Sequence, residues 1–365
     1  MSDNSTKQFI QAYYQDATPI QFLSGFFRSP RENFHLSESI EIDIQRSGED
    51  VSIVVTDLSS GYRENSANVF TNKEIVPPIH KELVPLNSGQ LIKRMPGQNP
   101  YADRTFRARL VDLMMRNMRL QENKIRRSNE WQASQVLQTG TTTLVDANGV
   151  ALYSIDFQPK ATHFPTVGTA WDDVSPDIAG DLLSLATVLK ADGFVTPDLL
   201  IMGEGSFETF IQDADIQARL DNRRIDGNGL VAINPVGQGG VYQGMFQVGS
   251  YKFQIWTYPG RYKHPQTGNS TPFVADNKVI MMSSVSTRLD ATYGGVPHIG
   301  RELGISGQNI LPELPSRFGS SENGMDMFTN VWLTQDGENL NGGIASRPLF
   351  IPTAIDTYGC LDTGI

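Results

Sequence analysis

The sequence predicts an α+β fold organised around one dominant helix. Three observations predict it. A long amphipathic stretch at 102–139 lacks glycine and proline, and several short runs are rich in β-branched and aromatic residues. In addition, 33 glycines and 20 prolines among 365 residues break the remainder into short elements joined by irregular chain. At this length the chain can bury one large core or two moderate ones.

The helix is the most legible element. Asp103 suits the positive end of its dipole, and Gly140 is placed to cap its end. At about 100° per residue, Phe106, Leu110, Leu113, Met114, Met118, Leu120, Ile125, Trp131 and Val136 share one broad stripe. Arg109, Arg116, Arg119, Arg126 and Arg127 fall opposite, interleaved with Asp112, Glu122 and Glu130. Asp112–Arg116 and Glu122–Arg126 are i,i+4 pairs of the favourable order. A helix over 102–139 is about 55 Å long, several times the ordinary length, and is expected to act as a spine. The mixed signs on its arginine face favour salt bridges or a contact with another chain over nucleic-acid binding.

Residues 1–35 read as an arm. Phe22, Phe26, Phe27 and Phe34 crowd a stretch that also holds Pro19 and Pro30, and aromatics this dense need burial, in the chain's own core or on a neighbour. IEIDI (40–44) and VSIVV (51–55), separated by the polar loop QRSGED, predict a two-stranded ribbon. Two strands bury little by themselves, so the ribbon lies on a larger sheet or is covered by another chain.

Beyond the spine, ALYSIDF (151–157) alternates as a strand. DIAGDLLSLATVLKADG predicts a helix capped by Ser175 or Asp177 and closed at Gly193. PDLLIM (197–202) predicts a strand and GSFETFIQD a helix. Residues 244–262 predict two strands about a Gly-Ser turn, and DNKVIMMS adds another. Residues 290–325 are expected to be largely irregular, and SRPLFIPTAIDTY to be a strand interrupted at Pro352.

Several function classes find no support. A net charge of −10 makes the whole chain a poor sequence-independent binder of nucleic acid. The one cysteine, Cys360, excludes an internal disulfide and a CxxC site, and reads as a small structural residue. The start MSDNSTKQF has neither a basic nor an apolar signal region, and no run is long and apolar enough to span a bilayer, so a reducing cytosol and no membrane are expected.

GEGSFE (203–208) resembles a phosphate loop in placement, but Glu208 replaces the third glycine and Glu204 adds negative charge. His35, His80, His163, His264 and His298 lack metal-ligand spacing. Asp172, Asp173, Asp213, Asp215, Asp221 and Asp226 lack the pattern of a calcium loop. No catalytic, cofactor-binding or metal-binding residue is assigned.

The order of elements resembles a known family. FLSGFFRSP (22–30) resembles an FFR-type arm, and LIKRMPGQNPYADRTFRARLVDLMMRNMR (91–119) resembles an RRLP turn followed by an arginine-rich helix with an MQNMR-like core. VLQTGTTTL (136–144), VYQGMFQVGSYKFQIWTYPGRY, FVADNKVIM and RPLFIPTAID follow in the family's order. Together they are similar to the major head proteins of lambda-like tailed phages, whose subunits have the Hong Kong 97-type capsid fold.

The resemblance implies an N-terminal arm (1–35) and an extended β-ribbon (36–80). A peripheral domain (81–175) would contain the spine helix 102–139, followed by an α/β axial domain (176–285) and a return to the peripheral domain with a late strand (286–365). It implies a structural, non-enzymatic subunit of the virion capsid, assembled in the host cytoplasm without cofactors. Hexamers and pentamers of the subunit would form an icosahedral shell around double-stranded DNA, and a procapsid would expand on maturation.

Expected partners are further copies of the chain, a separate scaffolding protein, a portal and a decoration protein. Phe22, Phe26, Phe27 and Arg28 are the expected inter-subunit contacts of the arm. A cellular nanocompartment shell, which shares the fold, and a cytosolic α/β enzyme with an unseen pocket are the alternatives.

Overall fold

A computed structural model of the chain describes residues 21–29, 34–35, 39–45, 70–89, 106–145, 150–219, 239–284, 288–296, 326–334 and 337–365. In chain order, β1 (Phe34–His35), β2 (Ile40–Gln45), β3 (Phe70–Ile75) and β4 (His80–Asn87) precede the long helix α1 (Phe106–Thr139). A hairpin follows, β5 (Thr141–Val145) and β6 (Ala151–Asp156). Next come α2 (Ile178–Gly193), β7 (Leu199–Met202), α3 (Glu204–Gln212) and α4 (Ala214–Arg219). Then β8 (Val241–Val248), β9 (Tyr251–Thr257), β10 (Arg261–Lys263), β11 (Ser270–Pro272), β12 (Lys278–Met282) and β13 (Leu289–Gly294) lead to the last part of the chain. There lie β14 (Phe328–Leu333), β15 (Asn339–Ser346), β16 (Pro348–Pro352) and β17 (Tyr358–Asp362).

A five-stranded sheet of order β17-β12-β7-β9-β8 holds the centre. Its inner strands are apolar on both faces, which explains the near-continuous runs LLIM and KVIMM. Alternate residues divide between two cores, as the two-residue period of a strand requires. Leu200, Met202, Val279 and Met281 face α2, α3 and α4, where Ile178, Leu182, Leu185, Leu189, Phe210 and Ile216 are buried. Leu199, Ile201, Ile280, Met282, Tyr358 and Cys360 point the other way, into a core shared with Ala133, Val136 and Leu137 of α1. Cys360 is thus a buried structural residue.

The helix α1 serves two cores in succession. Its first half lies on a second sheet, β14-β15-β4, through Met114, Met118 and Ile125 against Leu86, Val331, Leu340 and Ile344. Its second half enters the central core. It ends where Gly140 takes φ 67, a left-handed conformation that glycine adopts freely, with its N–H on the Val136 carbonyl at 2.9 Å. Residues 101–105, where the first turn was expected, lie outside the described residues.

Three expectations need correction. Leu120 is not part of the apolar stripe: it is 61% exposed, because two residues beyond Met118 is about 200° around the helix. The arginine face is not salt-bridged throughout: Glu122 pairs with Arg126 as expected, but Glu130 is buried away from the arginines and binds Phe22–Ser24 instead. Residues 289–294 are a strand rather than irregular chain, since β13 pairs with β16 from Leu289↔Pro352 to Tyr293↔Pro348.

Elsewhere the expected elements stand close to their places. Asp177 rather than Ser175 caps α2, its carboxylate accepting the Gly180 N–H at 2.9 Å. The expected strand at 40–44 is β2, but its partner is β3, in register from Ile40↔Ile75 to Gln45↔Phe70; residues 51–55 lie outside the described residues.

Candidate functional site

The C-terminal half of α1 carries a carboxylate where an apolar side chain would be expected. Glu130 is 0% exposed. Its Oε1 accepts the N–H groups of Phe22 at 3.0 Å and Leu23 at 2.6 Å, and its Oε2 accepts the N–H of Ser24 at 3.0 Å and the Ser24 hydroxyl at 2.6 Å. These donors open a 3-10 turn, Ser24–Phe26, that has no capping side chain of its own. The first N–H groups of such a turn have no partner within it. A carboxylate from a distant helix therefore caps the turn, through short charge-assisted hydrogen bonds.

Aromatic rings surround this polar fastening. Phe22 packs on Tyr258 and Trp256, with centroids 5.1 and 5.9 Å away, and edge-on to Phe26 at 5.5 Å. The rings continue from Tyr258 to Phe273, Tyr262 and Trp131, at 5.7, 5.0 and 5.8 Å, and so return to α1 one residue from Glu130. Burial first, and then the neighbouring Glu130 charge, raise the Tyr258 hydroxyl far above its ordinary range. Gly240 backs onto the Phe22 ring so closely that an added Cβ would lie 2.3 Å from Cε2.

A second fastening follows three residues later. The Arg28 N–H donates to the Leu289 carbonyl at 2.9 Å, and the Ala291 N–H donates to the Arg28 carbonyl at 2.7 Å. Phe27 meets Phe350 edge-on at 5.0 Å. The Arg28 guanidinium, largely in solvent, lies 3.6 Å from Asp290. Residues 22–28 thus bridge α1, the five-stranded sheet and the sheet β1-β13-β16.

The expected site residues divide by this geometry. Phe22 and Phe27, offered by the sequence to a neighbour, are engaged inside their own subunit, with 6% of their surface left on each. Phe26 is half-buried, and Arg28 remains exposed. On α1, Met114 and Met118 are buried, with Leu110 and Leu113 packed beside them. The side chains of Phe106, Arg109 and Asp112 lie outside the described residues. Arg116 and Arg127 are exposed and Arg119 is half-buried. Arg126 is mostly buried and pairs with Glu122 at 2.9 Å and Asp326 at 3.6 Å, tying the helix to the start of β14.

Sequence reasoning missed Glu130, Trp256, Tyr258 and Gly240. For Glu130 a signal existed: Leu137, seven residues on, lies only about 20° away around the helix. A carboxylate sharing a face with Ala133 and Leu137 is out of place unless something polar is delivered to it.

Among the described residues no three His, Cys, Asp or Glu side chains are grouped to hold a metal. The family model of phage major capsid protein E matches residues 15–358. The chain belongs to that family. It is a structural component of the virion capsid of a tailed phage, and its copies self-assemble into an icosahedral shell. The match sets aside both the nanocompartment and the enzyme alternatives.

The chain is 25% identical over 254 residues to the major capsid protein of Escherichia phage lambda, covering 67% of this chain and 70% of that protein. Among solved structures, a prophage protein of E. coli CFT073 assigned as its capsid protein superposes over 99% of both chains, with a TM-score of 0.63 at 15% identity. That likeness concerns the fold, which is the mixed α+β fold of Hong Kong 97-type capsid structures.

Proposed function

We propose that the subunits form hexamers and pentamers of a shell around double-stranded DNA, and that the shell expands from a smaller procapsid on maturation. Residues 176–285 form the axial domain at the capsomer centres, and residues 81–175 form the peripheral domain, to which 286–365 return. The arm, residues 1–35, is anchored on its own subunit at Phe22–Arg28, and outside that anchor the arm and the ribbon, residues 36–80, supply contacts with neighbouring copies. A separate scaffolding protein, a portal and a decoration protein complete the particle.

One observation carries this reading: apolar side chains are bare on the single chain. Val174 is 90% exposed, Leu152 72%, Leu120 61% and Leu83 50%. They are spread over four separate elements and connections rather than gathered in one groove, as suits a tile with several edges. Covering them with further copies would stabilise the assembly by about 25 cal/mol per Å² of apolar surface removed from water. The ribbon adds support. Among the described residues β2 and β3 hydrogen-bond as strands only to each other, and a two-stranded unit of this kind gains stability by being covered.

Electron microscopy of the purified full-length chain tests the proposal. Closed icosahedral particles are expected, with immature particles smaller than DNA-filled ones. Persistent monomers would refute the assembly, and equal diameters before and after filling would refute the expansion.

A further inference from the structure

Residues 22–28 are held at two places by different chemistry. The first part, Phe22–Ser24, is tied to α1 by one carboxylate: four donors converge on Glu130, so the loss of one side chain removes all four of these bonds. The cation one turn away, Arg126, is directed to Glu122 and Asp326 instead. The second part, Phe27–Arg28, is joined to β13 through backbone bonds on either side of Arg28 and through the Phe27–Phe350 contact. Between the two lies Gly25, exposed, at which even an added Cβ would meet nothing within 4 Å.

We propose that this segment is a strap in two parts, with Gly25 as its hinge and Glu130 as a releasable latch. The Phe22–Ser24 part lifts from α1 while the Phe27–Arg28 part stays in its sheet. The two parts differ in what release demands. Lifting the first lets water reach Glu130, so the carboxylate exchanges protein donors for solvent and is not left buried without partners. Lifting the second would break sheet bonds and uncover Phe350.

Opening the latch also uncovers Phe22 and Leu23 and breaks the bonds from the Phe26 and Phe27 N–H groups to the Leu23 and Ser24 carbonyls, but leaves the bonds of Arg28 to Leu289 and Ala291 in place. Its use rests on the shell reading: an opened latch frees Phe22–Ser24 to meet a second copy of the protein. Glu130 acts here as a positioning residue, through the backbone that it holds.

Hydrogen exchange of the full chain, measured before assembly, tests the latch apart from the shell. In Glu130→Gln the side chain keeps one acceptor oxygen and turns a donor NH2 toward donors. The amides of Phe22, Leu23 and Ser24 are expected to exchange about ten- to a hundredfold faster, with those of Arg28 and Ala291 unchanged. Ser24→Ala, which removes only the hydroxyl donor, gives a smaller acceleration confined to the same three residues. Acceleration that spreads to Arg28 and Ala291 in either variant would overturn the two-part strap, and so would its absence from both. If Glu130→Gln does not fold, Ser24→Ala decides on the same criterion. Failure of the wild-type chain to form shells would refute the assembly and leave the exchange pattern to be judged separately.

Discussion

Two adjacent residues at the end of α2 show how a correct position can have an unexpected cause. The sequence placed the helix end at Gly193, where a glycine would ordinarily relieve a left-handed turn. Gly193 is instead the last helical residue, and Phe194 takes the left-handed conformation, at φ 52. The glycine is required by crowding: an added Cβ would lie 2.2 Å from the Asp356 carbonyl oxygen, a backbone atom that cannot step aside. Gly193→Ala is therefore expected to destabilise the subunit by about 2 kcal/mol or more. Phe194→Gly, which relieves a strain of about 1 kcal/mol at a half-exposed side chain, is expected to be neutral or stabilising. Thermal melting of the two variants checks the opposite signs. Composition marked the boundary, but only the packing of residues 355–357 on α2 explains it.

At the scale of elements, legibility followed period and locality. The long helix could be read because its apolar spacing persists over many turns, and α2 because its cap and close are local. The sheet β14-β15-β4 escaped notice because NLNGGIAS carries two glycines where a strand usually carries branched residues, and HKELVPLN contains Pro85. The flexible end of the Met114 side chain of α1 lies over Gly342, its Cε 2.1 Å from where a Cβ would stand. Such a strand is specified by what lies over it and not by its own pattern.

His80 joins the same two elements, β4 and α1. The Gln132 amide nitrogen lies 3.1 Å from its Nε2. Burial lowers its pKa from 6.5, partly opposed by the nearby Glu82. The unfolded chain then binds this proton more readily than the folded one. The contribution of His80 is complete above about pH 6.5 and is lost as pH falls through the folded-state value. Melting temperatures measured from pH 7.5 down to pH 5 are expected to fall more steeply for the wild type than for His80→Gln.

For the whole molecule, the family signals at both ends and in the middle conveyed the architecture, since any shell subunit of this fold must keep their order. What they could not convey was how Phe22–Arg28 is fastened to its own chain. That fastening turns on Glu130, a buried carboxylate next to Ala133 and Leu137 on α1. It makes truncation informative. Removing residues 1–20 leaves Phe22, Leu23, Phe27 and the Glu130 bonds in place, and is expected to give a folded subunit. Removing residues 1–35 withdraws three buried side chains and all four donors from a buried carboxylate, and is expected to cost several kcal/mol and most of the soluble yield. Circular dichroism and size-exclusion chromatography compare the two; equal stability would mean that the front segment is dispensable to the fold.

The pairing of β4 with β15 has a consequence for biosynthesis. Asn87 meets Asn339, and His80 meets Ser346, so one strand leaves the ribosome long before its partner exists. At about 5–20 residues per second the interval lasts roughly 13–50 s. Throughout it, the apolar underside of α1 has no lid, and a nascent polypeptide in this state is a natural client for chaperones. Premature polymerisation on polysomes is discouraged by the same delay, because the tile has no finished outline until its late strands have been translated.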